Sequence, residues 1–357
     1  MKKITGIFLV LIMFIQYLGV GFYAHIVILL VLLLWMIKKG TPITFSYLDL
    51  FLFLFLGIIC VIKSLGISAL DNMLLFKFYW GFILFYIFFK YSGYKLDYRL
   101  LFLLVCGVTI VDFVLINTIV PVGMMKNIPG GELNISATEK IGGFYRSYGL
   151  GSSPTVSATI IVVLLACCYY RQRALFKNRY ILYTILPLVF LGSGTGFFLF
   201  FLFLFFKYRL YRGWKLIIGI LSVFILLYIM LLMMENENTG LLSRMSFVYL
   251  TYLVSFKTEQ IMTVVDLLNK SVLEFLFGHN YSVEEGLRIM SDFGWLDMLE
   301  AYGYLGVILL WCYILLKRKL LNIPVLLFLI GAFHYPALFS IPGQLILGSL
   351  LVNSDER

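Results

Sequence analysis

A chain of 357 residues that is 62% hydrophobic, 18% aromatic and only 13% charged, with a mean hydropathy of +0.99, carries more apolar surface than one water-soluble core can hide. That composition excludes a soluble globular enzyme and a disordered chain, and it points to a polytopic membrane protein. The formal net charge of +10 would suit nucleic acid, but the basic residues are spread over short loops and both termini with no clustered face, which excludes that partner.

A helix needs about 17–20 apolar residues to cross a bilayer. By that ruler, spans are expected near 4–20, 22–37, 47–62, 73–89, 100–121, 154–170, 180–192, 195–206, 214–234, 295–316, 320–334 and 337–352. Lys2 and Lys3 precede the first apolar run, yet no small-residue cleavage site follows and a second run begins at once, so the first span is expected to be retained. The sequence thus predicts an all-α integral membrane protein of about 12 transmembrane helices, forming one polytopic domain over residues 1–357. Placing both termini in the cytoplasm puts most of the 28 Lys and Arg residues inside, as the positive-inside rule requires.

Residues 180–206 test this map. One long span there would carry Lys207, Arg209, Arg212 and Lys215 to the outer side, whereas two short helices meeting at Gly192-Ser193-Gly194-Thr195-Gly196 keep them inside. A broken hairpin is therefore expected, of the kind that stops partway through the bilayer beside protein or a water-filled cavity. Two external segments remain: residues 122–153, rich in glycine, and the large loop 235–294.

The large loop reads as mostly helical and amphipathic. Val254, Ile261, Val264, Leu267 and Leu268 recur near helical spacing among Lys257, Glu259, Asp266 and Lys270, the pattern of a helix resting on the headgroup region. Charged residues expected inside spans are few: Asp49, Lys77, Asp112, Asp297 and Glu300. The five cysteines fall in apolar runs without metal-ligand spacing, so they are expected to pack, and neither a metal site nor a cofactor is expected.

Past Ser291 the chain runs Asp292-Phe-Gly-Trp-Leu296-Asp297 and enters a span holding Gly303 and Gly306. This stretch resembles the signature closing the large external loop of the O-antigen and capsular polysaccharide polymerases (Wzy-type) and O-antigen ligases. Gly303 and Gly306 match its Gly-x-x-Gly, Leu296 matches its leucine, and Asp292 stands where ligases have histidine. That departure favours polymerase over ligase. Arg146-Ser-Tyr-Gly149 with Pro154 resembles the family's Arg-x-x-Gly motif, and Ser193-Gly-Thr-Gly196 its Ser-Gly-Ser-Arg turn, lacking the arginine. Arg244 resembles the arginine near the start of the large loop, and Gly331-Ala-Phe-His334 the motif of the penultimate span. The likeness covers about residues 140–345.

The resemblance implies transfer of a growing glycan from a polyprenyl diphosphate onto the terminal sugar of an incoming lipid-linked repeat unit, at the outer face of the bacterial cytoplasmic membrane. It also implies a flippase and a chain-length regulator as partner proteins, besides membrane lipids. Such a transfer needs cations for the leaving diphosphate, which a planar guanidinium meets bidentately; Arg146, Arg244 and Arg288 are the candidates. A base for the attacking hydroxyl is expected at Asp292, with His279 second and His334 also a candidate. Plainer roles compete: an N-cap for Asp292, a turn for His279, and a structural hydrogen bond inside the bundle for His334. No Asp-x-Asp or Glu-x-Asp follows the first span, so metal-independent transfer is expected. A lipid-linked oligosaccharide flippase is the competing reading from another class, and the ligase a third.

Overall fold

The computed structural model describes residues 2–17, 45–64, 69–118, 127–128, 131–132, 140–141, 144–151, 153–210, 247–279, 293–317 and 322–352, with positions 30 and 34. The expected spans 22–37 and 214–234 lie outside these residues, apart from Leu30 and Leu34, and so do Arg244, Arg288 and Asp292.

The described chain is mostly helical. Its helices are α1 (Lys2–Tyr17), α2 (Tyr47–Ser64), α3 (Ala69–Ser92), α4 (Tyr98–Thr118), α5 (Pro154–Tyr170), α6 (Arg179–Leu191), α7 (Gly194–Lys207), α8 (Phe247–Leu268), α9 (Val272–Phe277), α10 (Gly294–Lys317), α11 (Ile323–His334) and α12 (Ile341–Leu351). The all-α expectation needs one amendment, in the glycine-rich segment 122–153. Asn127–Ile128 pairs antiparallel with Gly131–Glu132, and Lys140–Ile141 with Phe144–Tyr145. Among the described residues, α2, α4 and α10 are long and apolar enough to cross a membrane, while α5, α6, α7, α11 and α12 are shorter apolar helices.

The helices run up and down between two ends. At one end, Lys317 and Lys90 reach Asp49 (Nζ–O 2.9 and 3.4 Å), and Arg171 donates to the Ser349 and Leu350 carbonyls (3.2 and 2.8 Å) that terminate α12. Lys207, at the close of α7, donates to Asn178 Oδ1 at the start of α6 (3.1 Å). The hairpin expected over 180–206 is therefore present, and it returns Lys207 to the end it left. Gly192 makes the reversal possible, because its φ of 55° lies in the left-handed region that ends helices cheaply only at glycine. Ser193 then caps α7 by accepting from the Gly196 N–H (3.2 Å). At 13 residues, α6 rises only about 20 Å, less than the ~30 Å hydrocarbon thickness.

α5 is the centre of the bundle. It is apolar all round and buried from Pro154 to Cys168, and α4, α6, α7 and α11 pack on it. Its polar residues serve the backbone: Thr159 Oγ1 donates to the Thr155 carbonyl one turn back (2.9 Å). Close helix approach relies on small residues, as in other membrane bundles. A Cβ on Gly331 of α11 would meet the Thr159 side chain, and one on Gly348 of α12 would meet Phe85 and Tyr86 of α3.

The last two spans begin later than expected. Asn322-Ile323-Pro324 starts α11, where proline fits the first turn, and Ala337–Phe339 forms a 3-10 turn before Ser340 caps α12. α10 also departs from an unbroken span. Gly303 lies at φ 67°, ψ 179°, so a half-helix Gly294–Tyr302 is followed by a second piece to Lys317.

Candidate functional site

The end of the bundle opposite Asp49 gathers segments that are far apart in the chain. The first is Arg146-Ser-Tyr-Gly149, which is pinned from three helices. Asp112 of α4, wholly buried, accepts from Ser147 Oγ (2.7 Å) and from the Tyr148 and Gly149 N–H groups (2.8 and 2.9 Å). Asn117, one turn on, grips Tyr145 through both its amide atoms (2.8 Å each). Ser157 of α5 donates to the Tyr148 carbonyl (2.5 Å) and accepts from the Gly151 N–H (2.9 Å), while the Ser147 N–H reaches the Phe190 carbonyl of α6 (2.9 Å). Gly149 must be glycine: its φ is 57°, and a Cβ would press on Ser157 at 2.9 Å and Thr109 at 3.1 Å. The backbone on either side of Arg146 is thus fixed, and its side chain is half-buried.

Beside this segment lies the Ser193–Gly196 turn, whose Ser193 hydroxyl is 3.4 Å from Thr155 Oγ1 at the outer turn of α5. α11 arrives at the same end, and Gly294 of α10 packs against the Ala332 carbonyl and the Tyr335 backbone so closely that no Cβ fits. His334 is exposed rather than turned into the bundle, with its ring centroid 6.0 Å from Phe293. The Lys257 ammonium of α8 stands 4.3 Å over that same Phe293 ring, a contact of about 0.5–2 kcal/mol depending on solvent access.

The third component is the break at Gly303. Backbone meets backbone there, since a Cβ on Gly303 would strike Leu276 and Gly278, and one on Gly278 would strike Glu300 and Gly303. The His279 N–H donates to the Glu300 carbonyl (2.9 Å). Lys63 of α2, 3% exposed, donates to both the His279 and Ala301 carbonyls (2.9 and 2.7 Å), and Tyr79 OH also bonds the Ala301 carbonyl. The His279 ring is buried. Its Nδ1 sits 2.9 Å from Glu274 Oε1, and Nε2 has no hydrogen-bond partner among the described residues. With Nδ1–H donating to the Glu274 carboxylate, the neutral ring presents Nε2 as an acceptor, the arrangement of an oriented acid–base imidazole.

The structure therefore places Arg146, the Ser193 turn, Phe293–Gly294 and the Gly331–His334 segment at one end of the bundle, with Phe293–Gly294 in contact with the Gly331–His334 segment, and it seats His279 on the Gly303 break. Arg244, Arg288 and Asp292 fall outside the described residues. Sequence reasoning missed Lys63, which looks like the basic end of an apolar run, and Glu274 as the partner of His279. It noticed Asp112 only as a charge within a span; the signal that could have paired it was the polar Ser147 beside the Gly149 turn.

The amphipathic loop helix is also partly reassigned. Val264 and Leu268 of α8 pack on Leu296 and Leu299 of the half-helix, so this apolar stripe faces protein, while Val254 and Met262 stay exposed. Among the described residues no cluster of His, Cys, Asp and Glu has the makings of a metal site. Comparison of the chain with family models, curated proteins and solved structures finds no match.

Proposed function

We propose that the chain is a membrane glycan polymerase, joining polyprenyl-diphosphate-linked oligosaccharide repeat units at the outer face of a bacterial cytoplasmic membrane. One observation carries the reading. The segments bearing the polymerase-like residues, Arg146–Gly149, Ser193–Gly196, the Gly303 break and Gly331–His334, lie at one end of the bundle, opposite the end where Lys90, Arg171, Lys207 and Lys317 gather. The positive-inside rule assigns the basic end to the cytoplasm, which turns the candidate site outward.

In this reading the hydroxyl of the incoming unit's terminal sugar attacks the anomeric carbon of the growing chain. The bond to the diphosphate breaks, its electrons leave on the polyprenyl diphosphate, and the proton passes to a base. Arg146 supplies charge to the diphosphate with Arg244 and Arg288. Asp292 or His279 receives the proton, and the Glu274 carboxylate orients the latter.

The flippase reading is disfavoured by the central helix. A path for a charged headgroup needs polar walls through the middle of the bilayer, and α5 buries no charged side chain along its length. Asp292 in place of histidine disfavours a ligase.

Deleting the gene separates the three. Loss of a polymerase leaves single lipid-linked repeat units facing outward, loss of a flippase leaves them facing the cytoplasm, and loss of a ligase leaves long unattached polymer. Arg146→Ala is expected to stop chain growth while the protein still inserts; polymer of normal length from that variant would sink the assignment.

A further inference from the structure

The basic end of the bundle holds more positive charge than its own chain balances. Lys90 and Lys317 meet Asp49 there, and Arg171 is taken up by the Ser349 and Leu350 carbonyls that close α12. Five further cations have no such use. Arg173, Lys177 and Arg179 lie on the connection from α5 into α6, and Lys207 and Arg209 lie where α7 closes; among the described residues none of them pairs with a carboxylate. The sequence offers none nearby either, since residues 140–234 contain neither Asp nor Glu. At the α4 edge of this surface, beside Gln172, Asp97 is occupied in capping the Arg99 and Leu100 N–H groups (3.0 and 3.1 Å).

The two stretches form one surface. Lys207 Nζ donates to Asn178 Oδ1 (3.1 Å) and stands 5.2 Å from the Phe176 ring centroid. Both Lys207 and Arg173 lie over the Tyr169 ring (5.6 and 5.9 Å to its centroid), and Arg179 lies over Tyr183 (6.0 Å). Arg173, Lys177, Arg179 and Arg209 are exposed. Cations gathered in this way repel one another, and a bound anion relieves the repulsion.

The surroundings select the kind of anion. Leu175 and Tyr208 are exposed among the cations, and Leu182, Ile185, Leu186 and Val189 form a stripe on one face of α6, each between 41% and 67% exposed. That stripe starts one turn beyond Arg179 and climbs away from the basic end. A phosphate held at Arg179 therefore has an apolar track directly above it, as a lipid requires and as a soluble phosphate or an acidic protein does not. Tyrosines at the junction suit the boundary between headgroups and hydrocarbon.

We propose that the base of the α6–α7 hairpin is a binding site for an anionic phospholipid: Arg173, Lys177, Arg179, Lys207 and Arg209 hold the headgroup phosphate, and an acyl chain lies along the Leu182–Val189 stripe. Basic pockets between helices at one face of a bilayer take anionic headgroups in this manner, each cation near the surface adding to the attraction. The site is at the opposite end of the bundle from the candidate catalytic residues and does not depend on the polymerase reading.

The test titrates full-length protein in neutral detergent with phosphatidylglycerol or phosphatidylcholine and reads bound lipid by native mass spectrometry. Wild type is expected to hold phosphatidylglycerol about a hundredfold more tightly than phosphatidylcholine, and Arg173→Gln/Lys177→Gln/Arg179→Gln to reduce that preference below about tenfold. Arg173→Gln and Arg179→Gln alone are each expected to weaken phosphatidylglycerol binding about fivefold, which keeps the test decisive if the triple variant does not insert. Lys95→Gln, at an exposed lysine of the α3–α4 connection, is expected to bind as wild type does. Equal binding of the two lipids by wild type overturns the proposal, as does wild-type binding in the arginine variants or an equal loss in Lys95→Gln. Displacement of the lipid by an equal concentration of glycerophosphoglycerol, which has the headgroup without acyl chains, also overturns it, because the surface then takes a soluble phosphodiester.

Discussion

Replacing Asp112 by alanine removes one carboxylate oxygen that accepts from Ser147 Oγ, Tyr148 N–H and Gly149 N–H at 2.7–2.9 Å. The serine hydroxyl can turn to another acceptor, but the two backbone donors cannot, and the Asp112 side chain is fully shielded from solvent in the wild-type structure. Each hydrogen bond to a charged group contributes about 1.5–3 kcal/mol, and a stranded buried donor costs about 1–3 kcal/mol. Allowing for relaxation, the docked state of residues 146–151 loses about 3–4 kcal/mol, or about a hundredfold to a thousandfold in its opening equilibrium. The rest of the bundle, held by α5, loses little. Amide exchange at Tyr148 and Gly149 is therefore expected to accelerate by that factor in Asp112→Ala, with the interior of α5 exchanging as before. Chain growth should fail along with it, because Arg146 is no longer held. Unchanged exchange at those two amides would refute the idea that Asp112 anchors the segment.

Gly303→Ala combines a backbone conformation that only glycine adopts readily with a Cβ driven into Leu276 and Gly278. A loss of more than about 3 kcal/mol is expected, read as a lowered Tm in detergent. Gly331→Val is expected to cost about 1–3 kcal/mol, because a Cβ at that position would come within 2.8 Å of Thr159 Oγ1 and 3.1 Å of Leu199 Cδ1; adding Thr159→Ala should recover part of the loss in a double-mutant comparison. Treatment with EDTA should leave polymer formation intact, and strict loss of activity restored by a divalent cation would contradict metal-independent transfer.

The helical elements were legible where the apolar pattern has clear punctuation. Residues 154–170 open with Ser153-Pro154 and close at Arg171, and the helix has those bounds. The reversal at Gly192 was readable because basic residues on both sides demanded a return to the same end. The Gly303 break was not, since a glycine in an apolar run reads equally as a packing contact, and the break depends on Gly278 arriving from another part of the chain. For the same reason Lys63 reads as a lysine leaving the bilayer toward water, when it is buried by two carbonyls whose positions only the tertiary fold sets. Asp112 was visible as an unusual intramembrane charge, but its partners come from a loop whose docking no local pattern encodes.

Purified protein in liposomes, given polyprenyl-diphosphate-linked repeat units on the face opposite the basic end, tests the central claim most directly. The account predicts a ladder of lengthening lipid-linked glycans that is absent with Arg146→Ala. Repeat units that stay single, or that cross the bilayer without growing, would contradict it.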